Sequence, residues 1–162
     1  MLDKLAIFDL LNEKAIPFTY TDHPAAHTIE EIDGMALPNP AHVVKNLFLR
    51  DDKKRNYYLL CLRKDKTADL KRLRVLLESR PLSFAGEGDL AAFLGLSKGA
   101  VTPLGILNDT ECRVQLVLDA DLKALAFIGV HPNTNTCTLW LQTMDLVRLS
   151  ENTGHTVRWV QI

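Results

Sequence analysis

Apolar side chains recur at helical spacing over 3–14, at Leu5, Ile7, Phe8, Leu10 and Leu11. This predicts a helix that stops before Pro17. The period then drops to two in Phe18-Thr19-Tyr20-Thr21, a short strand closed by the turn residues Asp22-His23-Pro24. Thr28-Ile29-Glu30-Glu31 has capping-box spacing, with Thr28 as N-cap and Glu31 at the third helical position. That helix is expected to reach about Leu37, where Pro38-Asn39-Pro40 breaks it. A strand over 43–50 follows, and a polar turn from Asp51 to Arg55 leads into the apolar run 57–62. Two adjacent apolar strands joined by a tight polar turn predict a hairpin.

A basic helix fits 68–77, a short strand 83–85, and a second short helix 89–94 ended by Gly95. The segment 98–108 is apolar for a loop, so it is expected to lie against something. Strands are predicted at 114–118 and 126–130, around a short turn or helix at 119–124. Gly129 to Asn135 reads as a turn, 136–141 as a strand, 143–150 as a helix and 157–160 as a last strand. Mixed strands and helices with a hairpin predict one α+β domain over 1–162, with a mixed, curved central β-sheet flanked by helices.

The totals narrow the class. With 162 residues, 47% hydrophobic and 24% charged, the chain is long and apolar enough for a real core. The first helix carries acids inside its apolar pattern, unlike a signal peptide. No run approaches the ~20 apolar residues of a membrane span. Cys61, Cys112 and Cys137 are widely spaced and lack zinc-site spacing, so reduced thiols and a cytoplasmic location are expected. Net charge is −1, which announces no global attraction to nucleic acid. Locally the balance differs: 63–80 holds seven cations against three acids. Such a cluster reads either as a solvated helix face or as a footprint for a phosphate backbone.

The most informative chemistry lies inside the 43–50 strand. Alternation puts Lys45 with Val43, Leu47 and Leu49, and Asn46 with Val44 and Phe48. An ammonium is rarely buried without a partner. Lys45 therefore either snorkels to water from a strand end or lines a pocket, where it would grip a phosphate or carbonyl as a point charge. A poorly paired lysine could also shed its proton and act as a base. For both Lys45 and Asn46 to enter one pocket, the strand must bulge or end there; otherwise Asn46 is a structural amide. In Gly129-Val130-His131-Pro132, glycine permits close backbone approach and turn N–H groups can stabilise an oxyanion. The alternative is a plain connection. His23 and His27 have helical spacing, but Pro24 intervenes and no third ligand is evident, so no metal is expected. Nucleophile-elbow, P-loop and dinucleotide fingerprints are lacking, and no cofactor is expected.

Val44-Lys45-Asn46-Leu47-Phe48-Leu49, the Val101-Thr102-Pro103 loop and the Gly129-x-x-Pro132 turn, in this order and separation, resemble the YbaK-type aminoacyl-tRNA deacylases. These are free-standing relatives of the editing domain inserted in bacterial prolyl-tRNA synthetase. Lys-Asn-Leu-Phe-Leu most resembles the ProXp-ala (PrdX) branch, which deacylates alanyl-tRNA(Pro), and the likeness spans the whole chain.

The resemblance implies a trans-editing hydrolase that cleaves the aminoacyl ester at the terminal adenosine. Its partners would be the acceptor end of tRNA(Pro) and, transiently, prolyl-tRNA synthetase, with no membrane. It implies that Lys45 anchors the terminal nucleotide and that the Gly129 turn receives the scissile carbonyl and attacking water. Activation would come from the substrate's 2′-hydroxyl, with His131 only lining the pocket. Asn46, Tyr20, Ile32, Val101, Thr102, Pro103 and Pro132 become candidate substrate contacts. Arg50 and Arg80 become candidate acceptor-stem contacts. Other readings are a deacylase of cysteinyl-tRNA(Pro), an idle tRNA or small-molecule binding module, and a structural partner of a synthetase.

Overall fold

The computed structural model describes residues 1–162. Helix α1 (Lys4–Glu13) is capped by the Asp3 side chain, which accepts from the Ala6 N–H, and it buries Ile7 and Leu11. Strand β1 (Phe18–Asp22) follows. In α2 (Ile29–Asp33) the Thr28 hydroxyl caps Glu31 N–H as expected, while the Glu31 carboxylate accepts from His27 N–H. This helix is shorter than its sequence pattern suggests. Gly34 caps it and Ala36 takes a left-handed φ of 50°, turning the chain before the prolines.

Strands β2 (Val44–Asp51) and β3 (Tyr57–Arg63) form the predicted antiparallel hairpin. Next come α3 (Leu70–Leu77), β4 (Leu82–Phe84) and α4 (Glu87–Leu94). The apolar 98–108 segment becomes a short 3-10 helix over Pro103–Asn108, with Pro103 to Ile106 buried. The chain closes with β5 (Val114–Asp119), a 3-10 turn, β6 (Phe127–Val130), β7 (Cys137–Gln142), α5 (Thr143–Asn152) and β8 (Val157–Val160).

Two sheets result, with strand orders β4-β2-β3-β5-β8 and β1-β7-β6. The larger is mixed: β2 pairs antiparallel with β3 and β4, whereas β3–β5 and β5–β8 are parallel. The α+β architecture with a mixed sheet and flanking helices thus matches the pattern-based expectation. Residues of β3 alternate between two cores, as a strand covered on both faces must. Tyr57, Leu59 and Cys61 enter the main core with α1, α4 and α5 residues; Tyr58, Leu60 and Leu62 pack with Leu73 and Leu77 of α3. A third cluster joins Ile32, Leu37, Val43 and Trp140 beneath the α2 segment. The two sheets are bridged by a single parallel pair, Val43 with Gly129. No helix is long and apolar enough to cross a membrane.

Candidate active site at the seam of two sheets

A cavity of about 430 Å³ opens at that seam. Val43 to Leu47 line one side, Gly129 to His131 another, and Gly99, Val101 and the α2 segment complete the wall. Lys45 and Asn46 point to opposite faces of β2, yet both border the cavity because it lies at the strand's first residues. The strand-end condition stated from alternation is therefore met.

Lys45 is half-buried, and its Nζ donates to the main-chain carbonyl of Lys66 at 2.5 Å. An ammonium has three donors, so two remain for other partners. Asn46 Oδ1 is buried without a hydrogen-bond partner, and so is Trp140 Nε1. Unpaired buried polar atoms are costly in a native structure, and here both lie beside the cavity: Asn46 lines it, and the indole sits against Gly129. A Cβ built on Gly129 would lie 2.9 Å from Trp140 Nε1 and 3.1 Å from Val43 Cγ2. Glycine is needed there for space.

The Gly129–Pro132 turn is braced from behind. The Thr102 hydroxyl donates to the His131 carbonyl at 2.5 Å, and His131 Nδ1 donates to the Cys137 carbonyl at 2.8 Å. With Nδ1 carrying the proton, Nε2 of the neutral ring is a free acceptor. Burial pushes the His131 pKa down, with His23 nearby adding to the effect and the Cys137 carbonyl opposing it. His23 lies with its ring 6.1 Å away and meets the Thr138 hydroxyl at 2.9 Å. No group of three His, Cys, Asp or Glu side chains is arranged to hold a metal ion.

Of the sequence candidates, Lys45, Asn46, Ile32, Val101, Gly129 and His131 meet at the cavity. Tyr20 does not: it is exposed, packed on Phe8 at 4.6 Å between ring centroids, outside the lining. Thr102, Pro103 and Pro132 are also outside the lining; they are buried behind it, where the 98–108 loop packs. Arg50 and Arg80 border no part of the cavity. Arg50 lies at the far end of β2, five residues or roughly 17 Å from Lys45, with Nε 3.6 Å from Asp89. Arg80 is exposed and forks onto Asp52 at 2.6 and 3.0 Å. Within the basic segment, Arg63, Lys64 and Lys66 also hold acids, whereas Lys71, Arg72 and Arg74 are exposed without an acidic partner.

Pattern reading missed Trp140, His27, Glu30 and Thr138 as site neighbours. Gly99 also lines the cavity: its φ of +87° favours glycine, and a Cβ there would lie 2.5 Å from His27 Nδ1.

Residues 23–149 match the model of the aminoacyl-tRNA editing domain. The chain belongs to the aminoacyl-tRNA editing family. It is 40% identical over 159 residues to the prolyl-tRNA editing protein ProX of Acetoanaerobium sticklandii, covering 98% of this chain and 97% of that protein. It is 38% identical over 154 residues to prolyl-tRNA synthetase associated domain-containing protein 1 of Danio rerio, covering 91% and 81%. A crystal structure of a candidate trans-editing enzyme for prolyl tRNA synthetase shares the fold, with a TM-score of 0.65, 21% identity and coverage of 90% and 87%. This family member is an aminoacyl-tRNA deacylase, an ester hydrolase whose substrate is a mischarged tRNA.

Proposed function

We propose that residues 1–162 form one editing unit that hydrolyses alanyl-tRNA(Pro) in trans. The observation that carries this reading is the seam cavity, whose wall combines Lys45, Asn46 and the crowded Gly129. Its volume of about 430 Å³ falls in the range of small-molecule sites. It suits one terminal nucleoside and a small acyl group, and it leaves the body of the tRNA outside. The apolar side chains of Ile32, Val43 and Val101 suit a methyl group. Such a second sieve answers the difficulty a synthetase has in rejecting a substrate lacking methylenes, each worth only about 1–3 kcal/mol.

Lys45 anchors the terminal nucleotide through the donors not used on Lys66. Asn46 Oδ1, otherwise unpaired, accepts from a donor of the bound ester. The Gly129 turn takes the scissile carbonyl at close range, and its N–H groups stabilise the oxyanion. His131 is neutral near pH 7 and lines the site, while the ribose 2′-hydroxyl of the substrate helps activate water. Arg50 and Arg80 contact acceptor-stem phosphates after exchanging their internal carboxylates. Transfer from prolyl-tRNA synthetase proceeds through transient association.

Single-turnover deacylation of alanyl-, cysteinyl- and prolyl-tRNA(Pro) by wild type and Lys45→Ala tests the reading. Loss of alanine alone, abolished by the substitution, is expected. Preferential loss of cysteine would overturn the alanine assignment, and an active Lys45→Ala would overturn the role of the lysine.

A further inference from the structure

The Lys45 ammonium is held by a carbonyl, and that carbonyl belongs to a second lysine with an unusual anchorage. The side chain of Lys66 is largely buried, at 18% exposure. Its Nζ contacts Asp119 Oδ1 at 2.9 Å, Asp121 Oδ2 at 2.6 Å and the Ile162 carbonyl at 2.9 Å. Asp119 is fully buried and also accepts from the Arg63 and Asp121 N–H groups. Lys66 N–H donates to the Arg63 carbonyl at 3.0 Å. The 63–66 turn is therefore pinned to the end of β5 through both its backbone and the Lys66 side chain.

We propose that Lys66 is a positioning residue for Lys45: its side chain, locked by Asp119, Asp121 and the Ile162 carbonyl, fixes the main-chain carbonyl that aims the Lys45 ammonium into the cavity. The inference rests on the deacylase reading of the site and adds a residue that borders none of the cavity. A flexible four-carbon stem carries no direction of its own, so something outside Lys45 must restrict it. A buried ion pair is seldom a large net gain in stability, but it does fix geometry. Burial alone would push the Lys66 pKa down; hydrogen bonds to Asp121 and Asp119 outweigh it and raise the value, which keeps the anchor charged.

The test pairs kinetics with a direct view of Lys45. Lys66→Met and Lys66→Arg are compared with wild type in single-turnover deacylation at varied enzyme concentration, and the 15Nζ resonance of Lys45 is followed in lysine-labelled protein. Misplacing a contact group at a reacting centre costs at least about tenfold in rate. Lys66→Met should lose about that much with half-saturation changed less than about twofold. Lys66→Arg should recover most of the rate, and the Lys45 resonance should move or broaden only in Lys66→Met. If Lys66→Met does not fold, Asp121→Asn removes one partly exposed anchor and should displace the same resonance with a smaller rate loss. A Lys45 resonance unmoved in a folded variant overturns the positioning role, whatever the rate does. Wild-type protein inert toward every aminoacyl ester would instead overturn the functional reading, and the resonance would still report whether Lys66 holds Lys45.

Discussion

At the residue scale, one missing side chain and one buried ring shape the site. Gly129 has an ordinary φ but no room for a methyl, because Trp140 Nε1 and Val43 Cγ2 would lie 2.9 and 3.1 Å from its Cβ. Gly129→Ala should destabilise by about 1–3 kcal/mol through overpacking. It should also slow deacylation at least about tenfold by moving the turn proposed to receive the ester. Wild-type rates in the folded variant would remove the close approach from the mechanism. His131 is governed by burial, which holds its folded pKa below the ordinary value of ~6.5. As pH falls below that value, the unfolded chain takes the proton first. Stability associated with the ring is thus present above ~6.5 and lost as pH falls through the folded value. An NMR titration of the ring should give a midpoint under ~6.5; a midpoint above it would contradict the buried, neutral imidazole.

At the scale of elements, the β2–β3 hairpin rests on Asp51. This carboxylate is fully buried and accepts from Lys53 N–H at 3.1 Å, Arg55 N–H at 2.9 Å and Asn56 Nδ2 at 2.8 Å. Burial alone would raise its pKa, but these donors outweigh it and hold the value low. Asp51→Ala strands three donors and should cost about 2 kcal/mol in urea denaturation; an unchanged midpoint would sink this account. Its contribution is present above the ordinary value of ~3.9 and fades as pH falls through the folded value. Most elements were legible because the signals are local: alternation in 43–50, the Thr28 cap, and Gly95 ending α4. Pairing was not, since β3–β5 and β5–β8 are parallel and no turn encodes them. Lys45, Asn46, Gly129 and His131 stood out as polar or conformationally special residues in apolar runs. Tyr20 misled because a strand residue's outward or inward aspect depends on α1, which puts Phe8 and Lys4 beneath its ring. Trp140 escaped notice because an unpaired indole N–H exists only once β6 and β7 are paired.

For the whole molecule, the net charge of −1 and the pairing of Arg50 with Asp89 and of Arg80 with Asp52 set how RNA is met. If Arg50 and Arg80 are the phosphate contacts, the slope of log affinity against log salt should have a magnitude of about 1.4–1.8, since each neutralised phosphate contributes about 0.7–0.9. A slope several times steeper would require a larger basic surface, such as the unpaired cations of α3. Asp52→Asn removes the carboxylate that holds Arg80. Ion pairs as exposed as this one are held only weakly against water. Freeing Arg80 should therefore tighten tRNA binding by about two- to fivefold, read by filter binding at fixed ionic strength. No change would mean that Arg80 is not where the phosphate lands.

The fork of Arg80 on Asp52 also makes the protein its own competitor. If a phosphate lands there, it would replace one anion with another, so docking would be an exchange with little net gain and the complex would separate quickly. For a proofreader that meets far more correct than incorrect cargo, a weak grip turns sequestration into sampling, and the ester cavity, not the RNA surface, decides which encounters leave a trace.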